Sequence, residues 1–562
     1  MINDIQVKEW YFKNRDSGGT DVTRILDVDY IHLSPGGNDD LYVTKYGLPF
    51  IENLKPEYYL GNDDWFRDNS VRLSGTSCLY RVRTMDVGGV HKDLVLKWNR
   101  MGQEIPGHEY SGEMVNASFN SPFEEFSMVM ELRNMIDASP GQIVIQKPLA
   151  IYVPQEKVEL TRTGRKEYLM SPIIEKHKEV DLDMNRSYAV IYEWVEGIDA
   201  TQALREDILD EKLMEYLTLW SEERIKDRGF TVRDRKPHHV IVRPLREGGL
   251  ARDKDGNIFC AMVDFELLER TSGHDMEVRK ERRAEYLKRQ RDRFNVEDET
   301  YHPHLKHVNI MGVDYIYGHV ESTHGRLWVT GKDPYLFDYF LPERWEKTPR
   351  VKISVFSEMY YTVSKDNIHI VWKVSRVGMQ PDMDPFREDE SEILRHGYNS
   401  PFEETSLAME LTQKGIPTIY PRAVYMTGSE TSVKTGLLDD SRFKSHERLA
   451  TPDGLSLMDR NHGYVTIWGY WNGPDEKLAA KDGDYYEAIS ALEAYRSGLI
   501  KKAEYIELLN ISRNRLEKAG VNDLNLRGNH LLMSLDNKGT LIRDAEGVPE
   551  VRICNFEFLK KR

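Results

Sequence analysis

Asn120-Ser-Pro-Phe-Glu-Glu125 returns later in the chain as Asn399-Ser-Pro-Phe-Glu-Glu404. The agreement extends outward from this pair. Leu94-Val-Leu-Lys97 is matched by Ile370-Val-Trp-Lys373, and Val263-Asp-Phe-Glu266 by Cys554-Asn-Phe-Glu557. Upstream, Asp29-Tyr-Ile31 matches Asp314-Tyr-Ile316, and Leu41-Tyr-Val-Thr44 matches Leu327-Trp-Val-Thr330. Order and rough spacing hold throughout, which predicts a divergent tandem duplication of one fold. Copy A is placed at 25–272 and copy B at 310–562, with 1–24 an N-terminal extension. The stretch 273–309 between the copies contains HDMEVRKERRAEYLKRQRDRFNVEDE, whose charges alternate in sign with sparse apolar residues. It reads as an exposed, charged helical connector.

At 562 residues the chain exceeds one ordinary core, and the repeat supplies the division. Charged residues make up 30% and hydrophobic ones 40%, as in a globular protein. A formal charge of −16 argues against a general nucleic-acid or anionic-membrane binder. Cys78, Cys260 and Cys554 are far apart with no CxxC, so neither a disulfide frame nor a zinc knuckle is suggested. The polar, acid-bearing start MINDIQVKEWYFKNRD does not read as a signal peptide. No stretch approaches the roughly 18 apolar residues of a membrane helix. A soluble, cytoplasmic protein without a membrane span is expected.

Each copy shows the same series of elements. Extended β-branched and aromatic segments lead to the strand around Lys97 or Lys373. A helix follows, with Ser121 as cap and Pro122 at its first position; the partner helix from Phe402 to Leu411 starts alike. Further strands include Tyr188–Trp194 and Tyr464–Tyr470. A second helix carries Leu213, Leu217 and Trp220 in A, and Ile506, Leu509 and Leu516 in B, and stops at Gly229 or Gly520. A polar loop and short strands complete the copy. The pattern is α+β and two-lobed.

The chemistry-bearing residues of copy A lie in the later loops. After Gly229 the chain reads Arg233-Asp-Arg-Lys-Pro-His-His-Val-Ile-Val242, and Val263-Asp264-Phe265 brings a second acid after a strand. Lys97 lies on an apolar strand, where snorkelling to a surface is the alternative reading. Glu125 lies near a helix N-terminus, where the helix dipole alone favours an acid. Asp234 could be a loop-capping acid, and His239, beside a β-run, a packed core residue.

In these motifs the chain resembles the protein-kinase-like superfamily, whose catalytic loop reads HRDxKPxN and whose metal loop reads DFG. The resemblance covers most of each copy as short motifs in order. It implies two tandem bilobal domains, each with a β-rich small lobe and a trimmed, mainly helical large lobe. It implies ATP with Mg²⁺ or Mn²⁺ as cofactors. Phosphoryl transfer is mainly positioning and charge neutralisation. Asp234 then matches the acid that orients the acceptor hydroxyl, Lys236 a cation offsetting developing charge, and Asp264 the metal ligand. Lys97 matches the phosphate-gripping lysine and Glu125 the acid that holds it, with Glu124 and Glu131 as alternatives. Gly75 is the single glycine of the segment over the phosphates.

This chain departs from the pattern at several positions. Val232 replaces the first His, Glu266 follows Phe265 in place of Gly, and His239 stands where the family has its metal-binding Asn. Imidazole suits manganese or zinc better than magnesium. A histidine there also resembles the lipopolysaccharide-core sugar kinases. Little chain separates Asp264 from the connector, or follows Asn555, too little for a long activation segment. Copy B carries Asn525 and Asn555 where copy A has Asp234 and Asp264, with Arg527 and His530 matching Lys236 and His239. The expectation is therefore an ATP-dependent phosphotransferase in copy A, acting on a hydroxyl of a sugar, small molecule or protein, with a pseudokinase-like copy B packed against it in the chain. The alternatives are a non-catalytic tandem serving as nucleotide sensor or scaffold, and a transfer of AMP on the same fold.

Overall fold

The structure, a computed structural model, describes all residues except 1–4, 15–19, 36–37, 74–76, 106–116, 138–142, 177–179, 181, 235, 254–255, 297–303, 321, 355–356, 431–438, 471–486 and 537. The chain divides into unit 1, Met1–Glu277, and unit 2, Val278–Arg562. Both are α+β.

Unit 1 is built on strands β1 (Thr20–Ile25), β2 (Val28–Leu33), β3 (Asp40–Val43), β4 (Ser70–Arg72), β5 (Leu79–Arg83), β6 (Asp93–Trp98), β7 (Val144–Ile145), β8 (Pro148–Val153) and β9 (Ala189–Glu193). All but β7 form one antiparallel sheet in the order β1-β2-β3-β8-β9-β6-β5-β4. Strand periodicity then assigns faces. Leu94 and Leu96 of β6, with Ala189 and Ile191 of β9, join a core under the Ile5–Asn14 helix, in which Val7 is fully buried. Val95 of β6, with Val190 and Tyr192 of β9, packs against Phe126 and Val129 of the Pro122–Asp137 helix. Lys97 shares the face of Val95, so alternation alone aims it at that helix.

Beyond this sheet, β10 (Ile198–Asp199), β12 (Val240–Val242), β13 (Cys260–Met262) and β7 form a four-stranded sheet, and β11 (Phe230–Val232) pairs with β14 (Leu268–Arg270). The Glu211–Lys226 helix, capped by the Asp210 side chain on the Leu213 amide, buries Leu217 and Ile225 against this part. Gly229 follows with φ +79°, and a Cβ there would lie 2.5 Å from the His274 side chain, so glycine is required on both counts.

Unit 2 carries β15 (Lys306–Ile310), β16 (Val313–Val320), β17 (Gly325–Thr330), β18 (Arg350–Lys352), β19 (Met359–Val363), β20 (His369–Val374), β21 (Pro421–Glu430) and β22 (His462–Gly469) in the order β15-β16-β17-β21-β22-β20-β19-β18. This is the connection order of the large sheet of unit 1. The matched words occupy equivalent strands: Asp29 and Asp314 lie on β2 and β16, Leu41 and Leu327 on β3 and β17. Two small sheets follow, β23 (Glu487–Ser490) with β25 (Leu531–Leu535) and β26 (Arg552–Ile553), and β24 (Val521–Asp523) with β27 (Leu559–Lys561).

Two expectations change. The division falls inside the Ser272–Asp292 helix, not on either side of an exposed connector spanning 273–309. From Val278 onward the helix belongs to the fold of unit 2. Tyr286 is buried against Tyr339 and Phe340, Arg282 pairs with the buried Asp366 at 2.7 Å, and Gln290 accepts from Arg422 at 2.7 Å. Sparse apolar residues are enough because buried polar groups on the helix find partners. Likewise 1–24 is not a mere extension, since the Ile5–Asn14 helix and β1 close the core of unit 1. In the Lys502–Lys518 helix the buried face is Leu508, Ser512 and Leu516, while Ile506 is exposed.

Candidate functional site

The repeated Asn-Ser-Pro-Phe-Glu-Glu word is a clamp between a helix and the loop after β13. The Asn120 amide donates to the Glu266 carbonyl at 3.0 Å, and its side chain donates to the Leu268 carbonyl at 2.9 Å. Asn99, just past β6, donates to the Asn120 carbonyl at 3.1 Å. Ser121 accepts from the Glu124 amide, and Pro122 opens the helix. Unit 2 repeats this: the Asn399 amide donates to the Glu557 carbonyl at 2.9 Å, its side chain to Phe556 and Leu559, and Ser400 with Glu403 forms a full capping box. Phe265 and Phe556 are both fully buried.

The clamp brings Lys97 to Asp264. The Lys97 ammonium lies 2.5 Å from Asp264 Oδ1 and 2.9 Å from Glu266 Oε2. Burial works against the charged lysine, but Asp264, Glu266 and Glu125 outweigh it and raise its pKa. Burial also works against the Asp264 carboxylate, yet Lys97, His239 and the Glu266 amide hold it well below its ordinary range. The Asp264 side chain is 27% exposed and that of Lys97 only 5%, so the carboxylate is the side of the pair that reaches solvent. Asp264 has φ +69°, a left-handed conformation that aspartate tolerates better than most residues.

His239 Nε2 lies 3.6 Å from Asp264 Oδ2. Burial lowers the pKa of the ring, which keeps it neutral, and Nδ1 is buried without a hydrogen-bond partner. Asp264 and His239 together offer a divalent ion one hard oxygen and one imidazole; among the described residues no cluster of three or more metal-ligating side chains occurs. Asp234 accepts from Lys236 at 2.6 Å. Gly75 lies outside the described residues, between β4 and β5.

Of the three candidate helix acids, Glu125 is the buried one beside Lys97. It is not within ion-pair distance of the lysine; its Oε1 accepts from the Tyr192 hydroxyl at 2.7 Å, and Oε2 has no hydrogen-bond partner. Burial pushes its pKa up to about 7 against the pull of Lys97. Glu124 instead pairs with Lys176, and Glu131 with Arg270 and His274.

Sequence reasoning overlooked Glu266, Arg100 and Tyr192. Glu266 Oε1 meets Arg100 at 2.5 Å while its other oxygen meets Lys97. The signal was present: Lys-x-x-Arg and Phe-Glu both recur, as Lys373…Arg376 and Phe556-Glu557.

In unit 2, Lys373 pairs with Glu404 at 2.6 Å and with Glu557 at 3.4 Å, and Glu557 also pairs with Arg376. Asn555 approaches His530 Nε2 at 3.1 Å, and Asn525 accepts from Arg527 at 2.8 Å.

No family model matches this sequence, and no curated protein matches it. Among solved structures, the co-crystal of WbdD and the kinase inhibitor LY294002 is similar at 12% identity, with a TM-score of 0.16. The chain spans 41% of that protein's length, over 41% of its own. A superposition of that quality carries no argument, and the functional reading rests on the residues themselves. Among the described residues no helix is long and apolar enough to cross a membrane.

Proposed function

We propose that the chain is a tandem pair of protein-kinase-like domains, in which unit 1 is an ATP-dependent phosphotransferase and unit 2 its degenerate counterpart. The observation that carries this reading is the meeting of Lys97 with Asp264, residues from a sheet strand and from a distant loop, at the positions the kinase-like motifs single out. The shared strand order of the two large sheets supports a duplication. Lys97, on the third strand counted from the β4 edge, is where a lysine gripping nucleotide phosphates belongs.

In this mechanism Asp264 and His239 would hold Mg²⁺ or Mn²⁺, and the ion would supply charge neutralisation for the nucleotide phosphates. Lys97 holds the inner phosphates. Asp234 orients the hydroxyl of a sugar, small molecule or protein and accepts its proton, and Lys236, 2.6 Å away, offsets charge on the transferred group. Unit 2 lacks both acids. Asn525 cannot take a proton and Asn555 brings no charge to a cation, so the pair Lys373–Glu404 is what remains for a nucleotide.

The second reading, a non-catalytic nucleotide sensor or scaffold, is favoured by Val232 and by the engagement of Lys97 with its own carboxylates. The test is a thermal shift with ATP and Mg²⁺ or Mn²⁺, paired with ATP turnover, on wild type, Asp264→Asn and Lys97→Ala. A metal-dependent shift of a few kcal/mol at saturating ligand, lost in both variants, is expected. A shift without turnover across an acceptor screen would select the sensor; the mass of any product would separate phosphate from AMP transfer.

A further inference from the structure

We infer that Glu266 and Arg100 form a positioning clamp that fixes Lys97 and Asp264 relative to one another, with Glu266 doing by ion pairing what a flexible glycine after Asp-Phe could not. The inference rests on the phosphotransferase reading for its catalytic meaning, but its geometry is independent of it.

Glu266 is buried and held at every polar group that matters. One carboxylate oxygen meets Arg100 at 2.5 Å, the other meets Lys97 at 2.9 Å, and its carbonyl accepts from the Asn120 amide at 3.0 Å. Arg100 is itself buried and stacks on Phe119, with 4.1 Å from guanidinium to ring centroid. The two-pronged contact fixes orientation as well as charge. Asp264 lies two residues before this anchor in the left-handed region, and its carboxylate meets Lys97 at 2.5 Å. The loop therefore leaves β13, turns through a conformation that few side chains adopt, and is anchored at once. Such a turn persists when its surroundings over-determine it.

Unit 2 supplies an internal comparison. Glu557 repeats the clamp, pairing with Arg376 and Lys373 and accepting from the Asn399 amide at 2.9 Å. Asn555, inside the same clamp, does not take a positive φ. The clamp is thus common to both units, and the left-handed acid belongs to unit 1, where its carboxylate is presented to Lys97 and His239. Arg100 and Glu266 touch no reacting atom in this scheme; they act through Lys97 and Asp264.

The test uses full-length wild type, Glu266→Gln and Arg100→Lys. It combines amide hydrogen exchange over Val263–Leu268 with ADP binding in the presence and absence of Mg²⁺. In Glu266→Gln, exchange across the loop is expected to rise by about tenfold or more. The affinity gained from Mg²⁺ should fall by about tenfold, while metal-free ADP affinity stays within about threefold. Arg100→Lys, which keeps one charged contact, should change both in the same direction by less, to values between wild type and Glu266→Gln. Wild-type exchange and an unchanged Mg²⁺ gain in Glu266→Gln would overturn the clamp. If Glu266→Gln does not fold, Arg100→Lys decides alone: exchange and Mg²⁺ gain between wild type and a tenfold change support the clamp, and values equal to wild type overturn it. If wild type binds no ADP in either condition, the phosphotransferase reading falls, and exchange by itself decides whether the clamp exists.

Discussion

Lys97 and Asp264 stand 167 residues apart in the chain and 2.5 Å apart in space, whereas the corresponding lysine of unit 2, Lys373, meets Glu404 at 2.6 Å. Two exchanges account for the different partners. Asn555 brings no charge to compete for Lys373. Trp468, opposite Val371 in the register that places Tyr192 opposite Val95, turns its indole N–H to Thr466 and leaves Glu404 without a hydroxyl donor. In unit 1 the Tyr192 hydroxyl holds Glu125 and the Asp264 carboxylate holds the lysine.

This predicts coupling between Tyr192 and Asp264. Tyr192→Phe leaves a buried acid short of a donor and is expected to destabilise by about 1–3 kcal/mol. In Tyr192→Phe with Asp264→Asn, Lys97 is free to pair with Glu125. The loss should then be smaller than the sum of the single variants by about 0.5 kcal/mol or more, measured by urea unfolding in a double-mutant cycle. Strict additivity would contradict the account.

Glu125 predicts a pH dependence. Its folded pKa of about 7 lies above the ordinary 4.5, so the folded state holds this proton more tightly than the unfolded chain. Its contribution to stability is therefore present below about pH 4.5 and is lost as pH rises towards 7 and beyond. Relative to wild type, Glu125→Gln should gain up to about 3 kcal/mol across that window. Parallel stability curves for the two proteins would show that Glu125 is ordinary.

The asparagine of the repeated word is predicted to matter more than its glutamates for stability. Asn120→Ala removes the side-chain donor to the Leu268 carbonyl, and Asn399→Ala removes the donor to the Phe556 and Leu559 carbonyls. Each should cost about 1–3 kcal/mol, with Asn399 the larger because two side-chain hydrogen bonds are lost there and one at Asn120. Denaturant unfolding with the same slope but shifted midpoints would be the signature.

The Ser272–Asp292 helix should respond differently along its length. Tyr286→Ala removes a buried ring and is expected to destabilise by about 3 kcal/mol or more. Met276→Ala, at a side chain 58% exposed, should stay within about 0.5 kcal/mol. Equal effects would restore the picture of a solvated spacer.

Much of this architecture was legible in one dimension. Repeated words located equivalent strands, because a strand and its partner helix must be respecified wherever the same sheet is built again. Alternation along Leu94-Val-Leu-Lys97 put the lysine on the helix-facing side, since successive strand side chains point oppositely. Helix starts at Pro122 and Pro401 followed from caps. The helix after Glu277 reads as solvated because its buried side chains are Tyr286 and Gln290 and its partly buried ones include Arg282 and Arg289, which look exposed until their partners are known.

What the sequence determined by itself was therefore the presence of local elements, their order, and the short list of charged residues that recur or fail to recur between the halves. Which of those charges meet was decided only by the tertiary structure. A lysine among several buried carboxylates takes the partners that geometry and desolvation favour. In unit 1 those are Asp264 and Glu266, set by a clamp at Asn120 and Arg100 and by a hydroxyl on Tyr192. Coulombic pairing in a buried site depends on distances between residues far apart in the chain, and no local pattern records them.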